Sequence, residues 1–317
     1  MDAVPEAILP AVRALHVAAS MSLFGALLFR TAIAPPALAG APGADTERFE
    51  RRLARLAAGS LAAAVTTWFA WLWLQAAAMS GAEDFAASLE AVPVALGQTW
   101  FGRVSAVRLG LLVAAGGCLS SGAASLGGPL RAWTGVILSG ASLVLVAGLG
   151  HAVAQEGPSR AALLVGMGVH LLAAGAWLGS LVPLAFGLAL LPAPHAGLAA
   201  WRFSPLGMAC VAALIVTAWL NARVFVGSVP ALLDTAYGRL ALAKLALLLV
   251  MLGSAAANRF IFTPALAGSH GPEAARRMRS SVALETCAGL AIVFIAGMLA
   301  TTPPAAHGER EATPHIH

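Results

Sequence analysis

Residues 168–181 read GVHLLAAGAWLGSL, an apolar run that fits only a membrane helix. It carries one imidazole, His170, and one indole, Trp177. Seven residues apart, about two helical turns, the two side chains face the same way. An ionisable group inside a membrane segment is costly unless it faces a partner, a cofactor or a water-filled cavity. The stretch therefore sets the class of the chain and also its question, which is what His170 faces.

The composition agrees with the class. Of 317 residues, 59% are hydrophobic and only 10% are charged, with a mean hydropathy of +0.83. A soluble chain carries about 25% charged residues, so the expectation is an all-α polytopic membrane protein embedded in a lipid bilayer. A span needs about 20 mostly apolar residues. Eight segments qualify: 8–32, 54–79, 102–120, 131–151, 161–189, 204–227, 238–262 and 281–301. The net charge of +5 rests almost wholly on arginine, since Lys244 is the one lysine. Cytoplasmic loops of membrane proteins carry such an excess, so no nucleic-acid partner is implied. Cys118, Cys210 and Cys287 lie in apolar stretches without CxxC spacing, which gives neither a disulfide framework nor a zinc site. The opening MDAVPEAILP lacks the basic region of a cleaved signal peptide.

Loop charge predicts orientation. The first connection holds Arg48, Arg51, Arg52 and Arg55, and the seventh holds Arg276, Arg277 and Arg279. The second is acidic, with Glu83, Asp84 and Glu90. The positive-inside rule then puts the odd loops in the cytoplasm and both termini in the periplasm of a bacterial inner membrane. Residues 44–58 read as a helical extension of the second span, capped by Asp45 or Thr46.

The chain also repeats itself. Thr99-Trp100-Phe101-Gly102-Arg103 precedes Arg108-Leu109, and Thr235-Ala236-Tyr237-Gly238-Arg239 precedes Lys244-Leu245. His16 with Gly25-Ala26-Leu27 aligns with His170 and Gly179-Ser180-Leu181. These matches predict two similar four-helix halves in parallel orientation, 1–152 and 153–302, followed by a disordered His-containing periplasmic tail, 303–317.

Histidine and methionine are the candidate chemistry. His16 and His170 sit at similar depth in the outer half of their spans, and His151 closes the fourth span. Met167 precedes His170 by three residues, so thioether and imidazole leave one helix face. Imidazole with thioether favours copper, Cu(I) above all, with Cu(II) left open. The metal candidates are thus His16, His151, His170 and Met167. Arg108 and Lys244 lie about a turn into the same leaflet, where cations must snorkel or pair with acids such as Glu83, Asp84 or Asp234. Beside paired histidines they also suit the propionates of haem b, which keeps a second cofactor open. Trp68, Trp71, Trp73 and Trp100 read as packing residues and interface anchors. No nucleotide loop, triad or paired carboxylates appear, so an enzyme is not expected.

Several of these residues carry a family resemblance. Asn221-Ala222-Arg223, the run 232–239 (LLDTAYGR), Lys244-Leu245, and Ala257-Asn258-Arg259 before Pro264 resemble the copper resistance protein CopD domain. His16, Gly150-His151-Ala152, and His170 with Trp177-Leu178-Gly179 are similar to the rest of the full-length pattern. The resemblance implies an inner-membrane protein moving copper from periplasm toward cytoplasm, with a separate periplasmic copper chaperone as partner. It makes His16, His151 and His170 the candidate ligands. Two other readings stand beside it: a haem b-binding membrane redox protein, and an accessory copper-resistance protein without transport of its own.

Overall fold

A computed structural model describes residues 3–81, 84–119, 128–150, 159–226, 228–268 and 271–302. Among them there is no strand, and eight helical segments are long and apolar enough to cross a membrane. In chain order, spans 1 to 8 are Ile8–Leu38, Gly43–Ser80, Trp100–Leu119, Gly128–Leu149, Arg160–Leu190, Ala193–Phe225, Ala236–Ala265 and Gly271–Leu299. Several overrun the apolar runs that announce them. Span 2 begins at Gly43 and span 8 at Gly271, because a helix once formed continues through amphipathic sequence while its backbone bonds are met.

The arginine-rich extension of span 2 is helical as expected, but it is not free-standing. Phe49 and Leu53 are each 1% exposed, and Phe49 meets Phe29 of span 1 edge to face at 6.4 Å. Its cap differs from the expectation. Pro42 occupies the N-cap position and neither Asp45 nor Thr46 caps it, since the helix already starts at Gly43.

Spans 1 and 5 form the centre. Span 1 packs on spans 2, 4, 5 and 8, and span 5 packs on spans 1, 4, 6 and 8. Lipid tails are as apolar as leucine, so helices in a membrane associate by close packing, which favours small residues. The crossing meets that demand at Gly25 and Gly179. A Cβ on Gly25 would lie 2.4 Å from the Gly179 Cα, and one on Gly179 would lie 2.0 Å from the Met21 carbonyl oxygen. Ser180 Oγ donates to the Gly25 carbonyl across the crossing (3.2 Å). Spans 3 and 4 close one flank and spans 7 and 8 the other. Span 7 is the least buried of the eight.

The repeated T-x-aromatic-G-R motif proves to be a helix start. Short helices Phe85–Gln98 and Val229–Asp234 run into spans 3 and 7. Thr99 Oγ1 accepts from Gly102 N–H and Thr235 Oγ1 from Gly238 N–H, both at 2.9 Å. The hydroxyls donate back to Ala95 O (2.5 Å) and Ala231 O (2.6 Å). Glycine is required because the end of the preceding helix lies where its Cβ would be, 2.1–2.5 Å away at Gly102 and 2.3–2.5 Å away at Gly238.

Gly25→Val tests the crossing. Overpacking there is expected to cost about 3 kcal/mol and to lower the melting temperature of purified protein in detergent. Gly59→Ala, with nothing within 4 Å of the added carbon, should leave it unchanged or raise it. Equal melting of both variants would contradict the close approach.

Candidate metal centre

His16 and His170 each lie nine residues before their glycine at the crossing, about 13.5 Å along the helix. The crossing thus carries both imidazoles to matched depth, at the end opposite the arginine-rich loops. Each finds a threonine on the neighbouring helix. His16 Nδ1 lies 3.2 Å from Thr67 Oγ1 and 2.9 Å from the Ala64 carbonyl of span 2. His170 Nδ1 lies 2.8 Å from Thr217 Oγ1 of span 6.

The bonds fix the tautomers. Thr217 spends its hydroxyl hydrogen on the Ala213 carbonyl (2.7 Å), so it accepts from His170 Nδ1–H. The lone pair of His170 is then on Nε2, for which no described residue supplies a hydrogen bond. At His16 the Ala64 carbonyl requires Nδ1–H, and Nε2 accepts from Arg108 Nη2 at 2.8 Å. Both nitrogens of His16 are therefore occupied.

Among the described residues Arg108 neither snorkels nor pairs with an acid. It is 0% exposed; its Nε donates to the Ser142 carbonyl (2.9 Å), and Ser142 Oγ donates back to the Arg108 carbonyl (3.2 Å). Its guanidinium lies 5.6 Å from the Trp71 ring centre, and that of Arg13 lies 5.3 Å from the same ring. Such stacking stabilises a cation more when it is desolvated. Trp71 also meets His16 at 5.4 Å and Phe101, the aromatic of the repeat motif, at 5.6 Å. Three buried donors here have no partner among the described residues: Arg108 Nη1, Trp71 Nε1 and Ser105 Oγ. Lys244, the counterpart of Arg108 in the repeat, makes no hydrogen bond to His170 among the described residues.

The other candidates scatter. Met167 is partly buried against the core, one turn from His170. Met21 is buried, while Met79 and Met298 face outward, 51% and 36% exposed. His151 and the tail histidines His307, His315 and His317 lie outside the described residues. His195 is at the other end and bonds the Ala37 carbonyl (3.0 Å). Cys118, Cys210 and Cys287 are free thiols. Among the described residues no three His, Cys, Asp or Glu side chains gather as a metal cluster.

Of the tryptophans read as packing residues, Trp68 and Trp73 are. Their indoles donate to the Ser105 carbonyl and to Ser88 Oγ, each at 2.8 Å. Trp71 belongs instead to the His16 site, as does Arg13. The spacing of Arg13 and His16, three residues apart on one helix face, carried that signal. Thr67 and Thr217, polar residues deep in apolar runs, carried another.

Known proteins place the chain. A family model for the N-terminal domain of copper resistance protein D-like proteins matches residues 2–161, and one for copper resistance protein D matches residues 197–299. The chain is 34% identical to "Copper resistance protein D" of Pseudomonas syringae pv. tomato over 248 residues, 73% of this chain and 77% of the relative. It is 32% identical to "Inner membrane protein YebZ" of Escherichia coli (strain K12) over 171 residues, 53% of this chain and 58% of the relative. No solved structure matches it. The chain belongs to the copper resistance protein D family and is a multi-pass membrane protein.

Proposed function

We propose that this protein carries copper across the inner membrane, from periplasm toward cytoplasm, through His and Met groups at the end opposite the arginine-rich loops. One observation carries the reading: His170 is held by Thr217 with its Nε2 lone pair unclaimed among the described residues, and the Met167 thioether lies one turn away. A neutral imidazole fixed by a bond at its other nitrogen is a prepared ligand, and a thioether beside it selects soft copper. His151, which lies outside the described residues, stays a candidate ligand on its sequence alone. His16 joins when Arg108 gives up its Nε2, which makes the Arg108 bond a gate on the second imidazole.

The matched settings of His16 and His170, and of Gly102 and Gly238, support two similar four-helix halves of parallel orientation. Loop charge supports periplasmic termini, and the family supports copper as cargo, delivered by a periplasmic chaperone. The haem b reading retains one feature, cations near both imidazoles. Against it, both family models that match describe copper resistance proteins, and so does the name of the Pseudomonas syringae relative.

His170→Ala is expected to abolish copper accumulation by cells. Thr217→Val, which removes the bond to Nδ1–H, should weaken copper binding by roughly 10- to 100-fold, read by competition with a chelator. Unchanged accumulation in His170→Ala would refute the site. Purified protein should be colourless when copper-loaded, and a Soret band in its spectrum would favour haem instead. For orientation, a membrane-impermeant maleimide on intact spheroplasts should label a cysteine placed at Asp234 and spare one placed at Arg277. The reverse pattern would invert the topology.

A further inference from the structure

Spans 6 and 7 meet at the arginine-rich end, where span 6 touches Asn258–Phe262 and Thr263–Ala265 of span 7. Farther into the membrane a cleft parts them, and spans 5 and 8 form its floor. The cleft holds two adjoining cavities, of about 610 Å³ and about 350 Å³, which share Ser204, Arg259, Phe260 and Thr263. The larger lies toward the loops, against Pro194, Gly197 and Pro264. The smaller runs inward past Leu181 and Phe203 to Ile215 and Leu252. The rim faces outward: Trp201, Met208, Ile215 and Phe260 are all exposed.

Each cavity has its own chemistry. Among the described residues, Arg259 is the one charged residue in the wall of the larger. It donates to Ser204 Oγ and lies over the Phe260 ring at 5.5 Å, and no carboxylate pairs with it among the described residues. Its guanidinium fork has N–H groups left over for a phosphate. Arg202, two residues before Ser204, buries its Nε with no partner among the described residues. No acid lines this cavity to receive the ammonium of a zwitterionic head group. The smaller cavity is lined mostly by hydrocarbon, and its two buried polar side chains answer each other, Asn258 Nδ2 donating to Glu285 Oε1. From Ser204 to Ile215 is eleven residues, about 16 Å along the helix. One leaflet of a hydrocarbon core roughly 30 Å thick is about 15 Å deep. Trp201 lines the loop end of the cleft, and indoles favour the level where the membrane meets water.

We propose that this cleft binds one anionic phospholipid of the leaflet at the arginine-rich end, its phosphate on Arg259 and one acyl chain between spans 6 and 7. The acyl chain fills space that the two helices leave unpacked. The head group supplies the negative charge that no side chain gives Arg259, as basic pockets between membrane helices do for anionic lipids. The site stands independently of the copper reading.

Native mass spectrometry of the purified full-length protein in detergent, titrated with phosphatidylglycerol or with phosphatidylcholine of the same acyl chains, tests it. The wild type should bind a first phosphatidylglycerol more tightly than a first phosphatidylcholine. Arg259→Gln should weaken phosphatidylglycerol about fivefold, the worth of one arginine toward an anionic lipid, and leave phosphatidylcholine as it was. Gly207→Leu should weaken both lipids. A Cβ there meets nothing nearer than Phe203 Cε1 at 4.0 Å, so the new side chain enters the inner cavity. Arg277→Gln, which removes an exposed arginine bonded to Glu273, should change neither. Inorganic phosphate should not compete, and melting temperatures should confirm that each variant is folded. Equal binding of the two lipids by the wild type, or an unchanged preference in Arg259→Gln, would overturn the head-group site. Undiminished binding in Gly207→Leu would overturn the acyl chamber. An equal loss in Arg277→Gln would reduce the effect to general surface charge, and displacement by phosphate would make the ligand a free anion. A dimer in place of the lipid-bound monomer would give the cleft to a second copy. Each of these three results would overturn the proposal.

Discussion

The architecture hangs on the contact between Gly25 and Gly179. Two helices that bury little against lipid gain by approaching each other, and only glycine lets their backbones come this close. The crossing sets spans 1 and 5 at the centre and leaves spans 3 and 7 on the flanks. It also fixes the depth of both buried histidines, since each lies nine residues before its glycine. Distances to the crossing therefore become distances to the site, and packing and chemistry are specified by the same two helices.

The two histidine sites share one scaffold and differ in what meets Nε2. Threonine on the neighbouring helix supports each ring, and its hydroxyl is committed to its own helix backbone. Arginine then bonds Nε2 of His16, whereas Lys244 makes no hydrogen bond to His170 among the described residues. The guanidinium has several donors in a rigid fork, so it can bond His16, Ser142 and lie near Trp71 together. The ammonium is a compact point charge on a flexible stem. Among the described residues, a single difference between matched positions thus leaves one imidazole closed and the other with a lone pair to offer.

Much of this was legible in the sequence. Eight apolar runs gave eight spans, and the repeat pointed to the paired histidines and to the T-x-aromatic-G-R motif. The role of that motif was not legible. Its glycine serves the preceding helix end and its threonine caps the next helix, which only the approach of two chain segments reveals. Arg108 was expected to reach water or an acid, because composition says nothing of an aromatic ring, an imidazole and a backbone carbonyl waiting inside. Trp71 looked like three other tryptophans nearby, and only its position beside two guanidiniums and His16 separates it from them. The Asn258–Glu285 pair joins residues 27 positions apart on different helices, a distance at which no local pattern operates. Side-chain periodicity finds faces; it does not find which faces meet.

Reconstitution tests the central claim most directly. Purified protein alone in liposomes, with copper supplied on the face bearing the histidine end, should load the lumen with copper, and His170→Ala in the same vesicles should not. Vesicles that stay empty with the wild-type protein, or that fill equally with His170→Ala, would contradict the account. The first result would mark an accessory protein and the second a different route for the ion.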